Sequence, residues 1–345
     1  MKARWVMNRK ISTLIIFLFF SLSALFGGDL ARLGTTSGAQ LLIPVGAHSI
    51  GLGGASLGSI HGAEAIYWNP AGISYGDHSE VLFNNMNYIA NIDVSYLALV
   101  YNGGNIGSFG LHIKSLDFGD IQETTEEFPD GTGNTFSPSF IVAGFSYGRL
   151  LTDHINIGVT AKFISESVME TSGTAFAFDM GVQYRFKNNI RLGVVMKNVG
   201  GKMQYDGRNL ERTFNIPGTS LQTEDGFFRG VPLKSDIPST FSFGISYVAN
   251  INEDNSLLFT SAFTNQNDAS DELFGGLEYG FKDFFYVRGG YNYEAQSNDN
   301  QIFGGAFGAG LRYPLGDFVF QFDYAFRQLT DYFSNNNIFT VKLGF

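Results

Sequence analysis

The side chains in this chain that could do chemistry are charged rather than nucleophilic. There is no cysteine, which removes thiol catalysis and Cys-based metal sites. His48, His61, His78, His112 and His154 are scattered, and no HExxH, GxSxG or paired Cys/His spacing accompanies them. Neither an enzyme nor a resident metal or cofactor is expected. The run INEDNS at 251–256 lacks the spacing of a calcium loop and reads as a solvated turn. What recurs is charge at alternate positions of aromatic-rich runs: Lys114, Lys162, Asp179, Arg185, Arg191, Lys197, Glu278, Arg288, Asp323, Arg327 and Lys342. Alternation puts them on the polar face of strands, with His112 as a polar filler on the same face. Two chemistries are open to such a face: ion networks that hold an interior segment, or a conduit that tolerates anions and binds carboxylates.

These residues need strands to position them. Turn chemistry divides the chain from Glu80 onward into fourteen strand-length segments: 80–89, 92–102, 105–116, 138–149, 154–165, 173–186, 188–199, 239–249, 256–266, 271–281, 284–295, 302–313, 317–328 and 335–345. In the sixth, Phe176, Phe178, Met180, Val182, Tyr184 and Phe186 share one face, with Ala177, Asp179, Gly181, Gln183 and Arg185 on the other. Ten or so residues of such alternation is what a tilted strand needs to cross a bilayer. The last segment ends on Phe339, Val341, Leu343 and Phe345, an apolar face that runs to the carboxy terminus. An even number of such strands predicts an all-β, transmembrane antiparallel β-barrel of about 14 strands, spanning 80–345 and closed by pairing of its first and last strands.

Connection lengths alternate as well. The longest follow strands three (117–137) and seven (200–238), with sizeable ones after five, eleven and thirteen, while even-numbered strands mostly end in short turns. That parity predicts an up-and-down barrel with long loops outside the cell and both barrel termini in the periplasm. Acids such as Glu123, Glu126, Glu127, Asp130, Asp268, Asp271 and Glu272 are expected in loops and turns.

The amino terminus reads as a secretory signal peptide, 1–27: Lys2, Arg4, Arg9 and Lys10 precede the apolar run Leu14 to Phe20 and then small residues. The remainder carries 18 basic and 32 acidic residues, a net charge of −14, once those four bases leave the totals of 22 and 32. Nucleic acid is not an expected partner. Between signal and barrel, 28–79 is dense in small residues and lacks sustained alternation, as a hatch or plug passing close to other backbone must be. In YWNPAG, Asn69-Pro70 favours a turn start and Gly72 permits reversal. Tyr67 and Trp68 are expected to pack on the barrel wall, each with a polar group free for a luminal partner.

GAHSIGLGGA, with Gly46, Gly51, Gly53 and Gly54, followed by AIYWNPAG, with Tyr67, Trp68, Asn69, Pro70, Ala71 and Gly72, resembles the amino-terminal signature of the PorV/PorQ family. That family is related to the FadL-type fatty-acid transporters, whose hatch shares an NPA element. LGVVMKNVG (192–200), IPSTFSFGISY (237–247), GGLEYGFKDFFYVRGGYNY (275–293) and FDYAF (322–326) resemble further blocks in the same order. The resemblance implies a FadL-like 14-stranded barrel with an amino-terminal hatch in the outer membrane. It also implies a role as accessory or shuttle in protein export of the type IX kind, with secretion components and exported cargo as partners. The alternative it leaves is a FadL-like transporter of hydrophobic or anionic small molecules. Outer-membrane lipid is a partner in either case, and Phe345 has the terminal form that barrel-assembly machinery recognises in many barrels.

Overall fold

The computed structural model describes residues 34–76, 78–214, 226–295, 301–330 and 333–345; the expected signal peptide and the start of the hatch segment lie outside them. Among the described residues, fourteen long strands carry the alternation into one closed wall. They are β1 (Glu80–Asn87), β2 (Asp93–Asn102), β3 (Ser108–Asp117), β4 (Ser139–Thr152), β5 (Ile155–Val168), β6 (Thr171–Arg185) and β7 (Ile190–Gly200), then β8 (Thr240–Asn250), β9 (Asn255–Gln266), β10 (Glu272–Phe281), β11 (Phe285–Glu294), β12 (Phe303–Leu315), β13 (Phe318–Leu329) and β14 (Asn336–Gly344). Each pairs antiparallel with its sequence neighbours. The seam is β1 on β14, in register from Glu80↔Gly344 to Asn87↔Asn337. It continues one residue further, where Ser79 and Phe345 exchange both backbone hydrogen bonds, at 3.0 and 2.9 Å. No edge is left open, which is the condition for a sheet to sit in hydrocarbon.

The period of two sorts the side chains by wall face. Phe176, Phe178, Met180 and Val182 on β6, Phe241, Phe243 and Ile245 on β8, and Phe339 and Leu343 on β14 are exposed on the outside. Their inward neighbours, among them Asp179, Ser242, Thr340 and Lys342, are buried. Large apolar side chains outside and polar ones inside are the arrangement of a membrane-embedded barrel, the inverse of a soluble core.

Two departures from the sequence reading concern the long-loop end. β5 and β6 run on beyond the expected bounds, and only Met169 and Glu170 connect them, so the loop expected after the fifth strand is a tight turn. The connection from β7 to β8 does not simply project. Gln204–Gly207 adds to β6 in register with Thr171 to Thr174, and buried Met203 and Ile237 pack with Leu41, Val142 and Ile164. Met203 and Ile237 of this loop are buried while Val231 and Leu233 stay exposed, a fold-back about which strand alternation carries no information.

Residues 34–76 run inside the wall. They contain two short α-helices, α1 (Ala47–Gly51) and α2 (Ala65–Trp68), and 3-10 turns at Ala39–Leu41, Ser56–Gly58 and Pro70–Ser74. Ser37 donates its amide to Asp236 O at the long-loop end, and the segment leaves at Ser79, beside β2 and the last residue, at the short-turn end. It therefore traverses the lumen and does more than seal its floor. The barrel's largest apolar cluster forms here, from Val45, Ile50, Leu57, Ile60, Ile66 and Ile73 against Leu82, Met86, Tyr96 and Ile338 of the wall.

Candidate functional site

The NPA turn is a three-way tie. Asn69 is extended (φ −156°, ψ 104°) ahead of Pro70, as the ring of a following proline demands. Its Oδ1 accepts from Ala71 N–H at 3.2 Å, and its Nδ2 donates to Leu57 O at 3.2 Å and to Val182 O of the wall at 3.3 Å. Gly72 lies within the 3-10 turn and packs so closely on the preceding hatch that a Cβ there would stand 2.4 Å from Ile60 O and 2.8 Å from Ala65 Cβ. The polar groups of Tyr67 and Trp68 are not free for a partner. Tyr67 Oη donates to Leu41 O and Leu42 O at 3.3 and 3.2 Å, and Trp68 Nε1 donates to Val45 O at 2.9 Å. Both are buried groups, and a backbone acceptor was the nearest way to satisfy them.

The glycines of the motif mark where hatch backbone touches wall backbone. A Cβ on Gly53, which also has φ +68°, would stand 2.6 Å from Tyr291 N, and one on Gly51 3.3 Å from Gly308 Cα. Gly54 faces the Phe274 ring, and Gly46, at φ +91°, opens α1 against the Glu64 side chain. The first amides of α1, which no helix can satisfy itself, find wall and hatch acceptors instead. Gly46 N–H donates to Asn84 Oδ1 at 3.0 Å, Ala47 N–H to Thr340 Oγ1 at 2.9 Å, and Ser49 N–H to Glu64 Oε1 at 2.9 Å.

All eleven predicted charges stand on the inner face, and the structure sorts them into two sets. The first set is used within the protein. Lys114 donates to Gln40 O and Ile43 O at 2.5 and 3.0 Å. Lys162 pairs with Asp179 at 2.5 Å. Both meet Asn198, the extra residue of a β-bulge opposite Asp179 (φ +58°), through bonds of 2.8 Å. Arg288 bridges Asp323 at 2.6 Å and Glu278, and Glu278 reaches His48 of the hatch at 3.3 Å. Lys342 pairs with Glu64 at 2.7 Å. The second set, Arg185, Arg191, Lys197 and Arg327, has no carboxylate salt-bridge partner among the described residues.

Lys197 and Arg327 border a cavity of about 380 Å³ between hatch and long-loop mouth. Its apolar surface comes from Leu42, Ile43, Pro44 and Ile50 of the hatch segment and from Tyr88, Phe274 and Phe303 of the barrel. Lys197 Nζ lies 4.4 Å from the Tyr67 ring centroid and 5.6 Å from that of Trp68. Arg327 stacks on Phe303 at 4.0 Å and donates Nε and Nη2 to Asn336 Oδ1. Ring faces partly offset the desolvation of both cations without neutralising them. Glu272 also borders the cavity, held by Gln266 and Asn292 at 2.9 and 3.0 Å. The cavity is concave, with an apolar surface on the hatch side and a polar rim of Thr240, Ser242, Thr264, Gln266, Asn292 and Glu294 beside these charges, a make-up open to a small molecule.

Several of these participants were missed or misplaced at the level of sequence. Asp268 and Asp271 lie in the β9–β10 connection as expected, yet both are buried, with Asp271 accepting from Asn265 at 2.7 Å and Thr36 bonding Asp268; Glu272, expected in a loop, is the first residue of β10 and borders the cavity. Glu64 escaped notice although it is the only acid between 34 and 76, a signal that a buried cation awaited it. Glu80, whose Oε1 accepts from Ala63 N–H at 2.9 Å, lies at a strand start where facing is not readable.

No family model matches this chain, and no curated protein matches it. Solved structures do. The P. putida toluene transporter TodX is 13% identical, with a TM-score of 0.55 over 92% of this chain and 99% of that one. The CymD monoaromatic hydrocarbon channel is 14% identical, with a TM-score of 0.52 over 88% of this chain and 97% of that one. The likeness is one of fold: a closed FadL-like barrel of 14 antiparallel strands with a small helical plug.

Proposed function

We propose that the protein carries hydrophobic small molecules across the outer membrane. A solute enters from the long-loop side, rests in the cavity against Trp68, Phe274 and Phe303, and leaves at the short-turn side once the hatch shifts. Long loops then face outside and the barrel termini face the periplasm. The observation that carries this reading is the cavity: a chamber of about 380 Å³, mostly apolar in surface, where Lys197 and Arg327 make no salt bridge among the described residues and border the space together with Glu272 and Glu294, which suits an apolar solute whose polar head reaches the two cations. The similarity in fold to a toluene transporter and a monoaromatic hydrocarbon channel supports the apolar half of it. The test is calorimetric titration of the full barrel in phosphatidylcholine nanodiscs with dodecanoate and with dodecanol. Dodecanoate binds saturably, and Lys197→Gln or Arg327→Gln lowers its affinity about tenfold, worth ~1.4 kcal/mol, while sparing dodecanol. Absence of saturable binding by either amphiphile overturns the reading.

A second reading keeps the PorV/PorQ resemblance: an accessory of protein export that docks secretion components or cargo on its loops. Exposed apolar side chains on the two longest connections favour it, namely Phe128, Phe228, Val231 and Leu233, since such groups on loops mark contact surfaces. Deleting the gene would then retain sorting-domain proteins inside the cell. Their normal appearance at the surface would sink this second reading and leave the first intact.

A further inference from the structure

At the opposite end of the lumen from the cavity, the turn joining β6 to β7 sets two arginines face to face. Arg185 and Arg191 are direct cross-strand partners, an arrangement of like charges that opposes pairing. Both turn inward onto one hatch ring: Arg185 Cζ lies 3.0 Å from the centroid of Tyr75 and Arg191 Cζ 5.8 Å from it. His61 meets the same ring edge-on at 5.8 Å and keeps Nε2 unused, since Nδ1 faces Ser59 O at 3.3 Å. Lys187 in the turn and His154 across from Tyr184 add no negative charge. Among the described residues no carboxylate pairs with either arginine, and no side-chain hydrogen bond occupies their guanidinium groups. Both are half-buried, so water reaches only part of them.

Two planar forks with up to ten N–H donors, held by an aromatic plate and paired with no acid among the described residues, are built for an oxyanion. We propose that Arg185 and Arg191, with His61 and Tyr75, form a binding site for an oxyanion, phosphate or carboxylate, at the short-turn mouth. The site goes beyond the transport reading and does not depend on which solute the cavity takes. A bound anion would lie between the two guanidinium groups, cancel their repulsion and tie the end of the hatch to the wall through Tyr75.

The full chain in phosphatidylcholine nanodiscs at pH 7 is titrated calorimetrically with inorganic phosphate and with octyl phosphate. Saturable binding is expected, and Arg185→Gln and Arg191→Gln each weaken it at least tenfold, whereas Lys202→Gln, at an exposed lysine paired with Asp236 on the β7–β8 connection, changes the affinity for inorganic phosphate less than twofold. Equal affinity of the two probes in the binding component that Arg185→Gln abolishes identifies a free oxyanion as the ligand, and much tighter octyl phosphate in that component identifies the head of an amphiphile. Phosphate should raise the unfolding temperature of the wild type and leave that of Arg185→Gln unmoved, with the variant no less stable than wild type without phosphate. No saturable binding by the wild type overturns the proposal. So does an Arg185→Gln variant that binds as wild type, or one destabilised equally with and without phosphate, the signature of a purely structural stacking role.

Discussion

Glu64 joins the hatch to the wall through one carboxylate. Oε1 accepts from Ser49 N–H and Oε2 pairs with Lys342, and the side chain is fully buried. Burial by itself would raise its pKa, but the charges of Lys342 and His48 and the bonds from Lys342 and Ser49 outweigh it and hold the pKa down, at about 2. A pKa below the unfolded value, near 4.5, means that ionised Glu64 stabilises the fold above pH 4.5. That contribution fades as pH falls from about 4.5 toward about 2. Thermal unfolding followed between pH 7 and pH 2 should show this loss. Glu64→Gln, which strands the Lys342 ammonium, should lower stability at pH 7 by about 3 kcal/mol and flatten the acid limb. An unaltered acid limb in the variant would assign the anchoring elsewhere.

Among the elements, hatch and β11 meet backbone to backbone. The chain at Leu52 and Gly53 lies so close to Gly290 that any Cβ there collides with it, and Phe274 and Asn292, two strand residues of the cavity border, stand beside this contact. Packing at that distance has no slack, so Gly290→Val should push the loop after α1 out of place by more than its own added volume. The expected result is a folded barrel with an unchanged strand signal in far-UV circular dichroism, a lower unfolding temperature and raised single-channel conductance. Closed channels in that variant would show that the hatch seals without this contact. The bulge at Asn198 is the other element-scale device, since it lets Asn198 and Lys197 face inward in succession, one for the Lys162–Asp179 pair and one for the cavity.

For the molecule as a whole, closure depends on the seam. β14 is hydrogen-bonded on both sides, to β13 and to β1, and Phe345 extends the second pairing through Ser79 while its ring faces outward. Deleting Phe345 removes two backbone bonds and an outward aromatic ring at the point where the barrel closes. We expect a folded yield reduced severalfold, read by heat-modifiable gel mobility, before any loss of ligand binding in the molecules that do fold. An undiminished yield would show that assembly does not need this residue.

The strands were legible because a barrel wall repeats one simple rule. Alternate residues meet lipid and lumen, so Phe176 to Val182 or Phe318 to Arg327 announce both the strand and its facing, and fourteen repeats with an even count imply closure. The NPA turn was legible too, because Asn, Pro and Gly constrain their own backbone. Tertiary structure alone decided what each inward charge does. Lys342 and Lys197 look alike in sequence, one strand position each, yet the first pairs with Glu64 and the second lies over the rings of Tyr67 and Trp68 with no salt bridge among the described residues. That difference is set by where the hatch runs through the lumen. Its path is fixed by contacts between residues hundreds of positions apart, such as Ala47 with Thr340 and Ala55 with Thr260, and local periodicity holds no record of them.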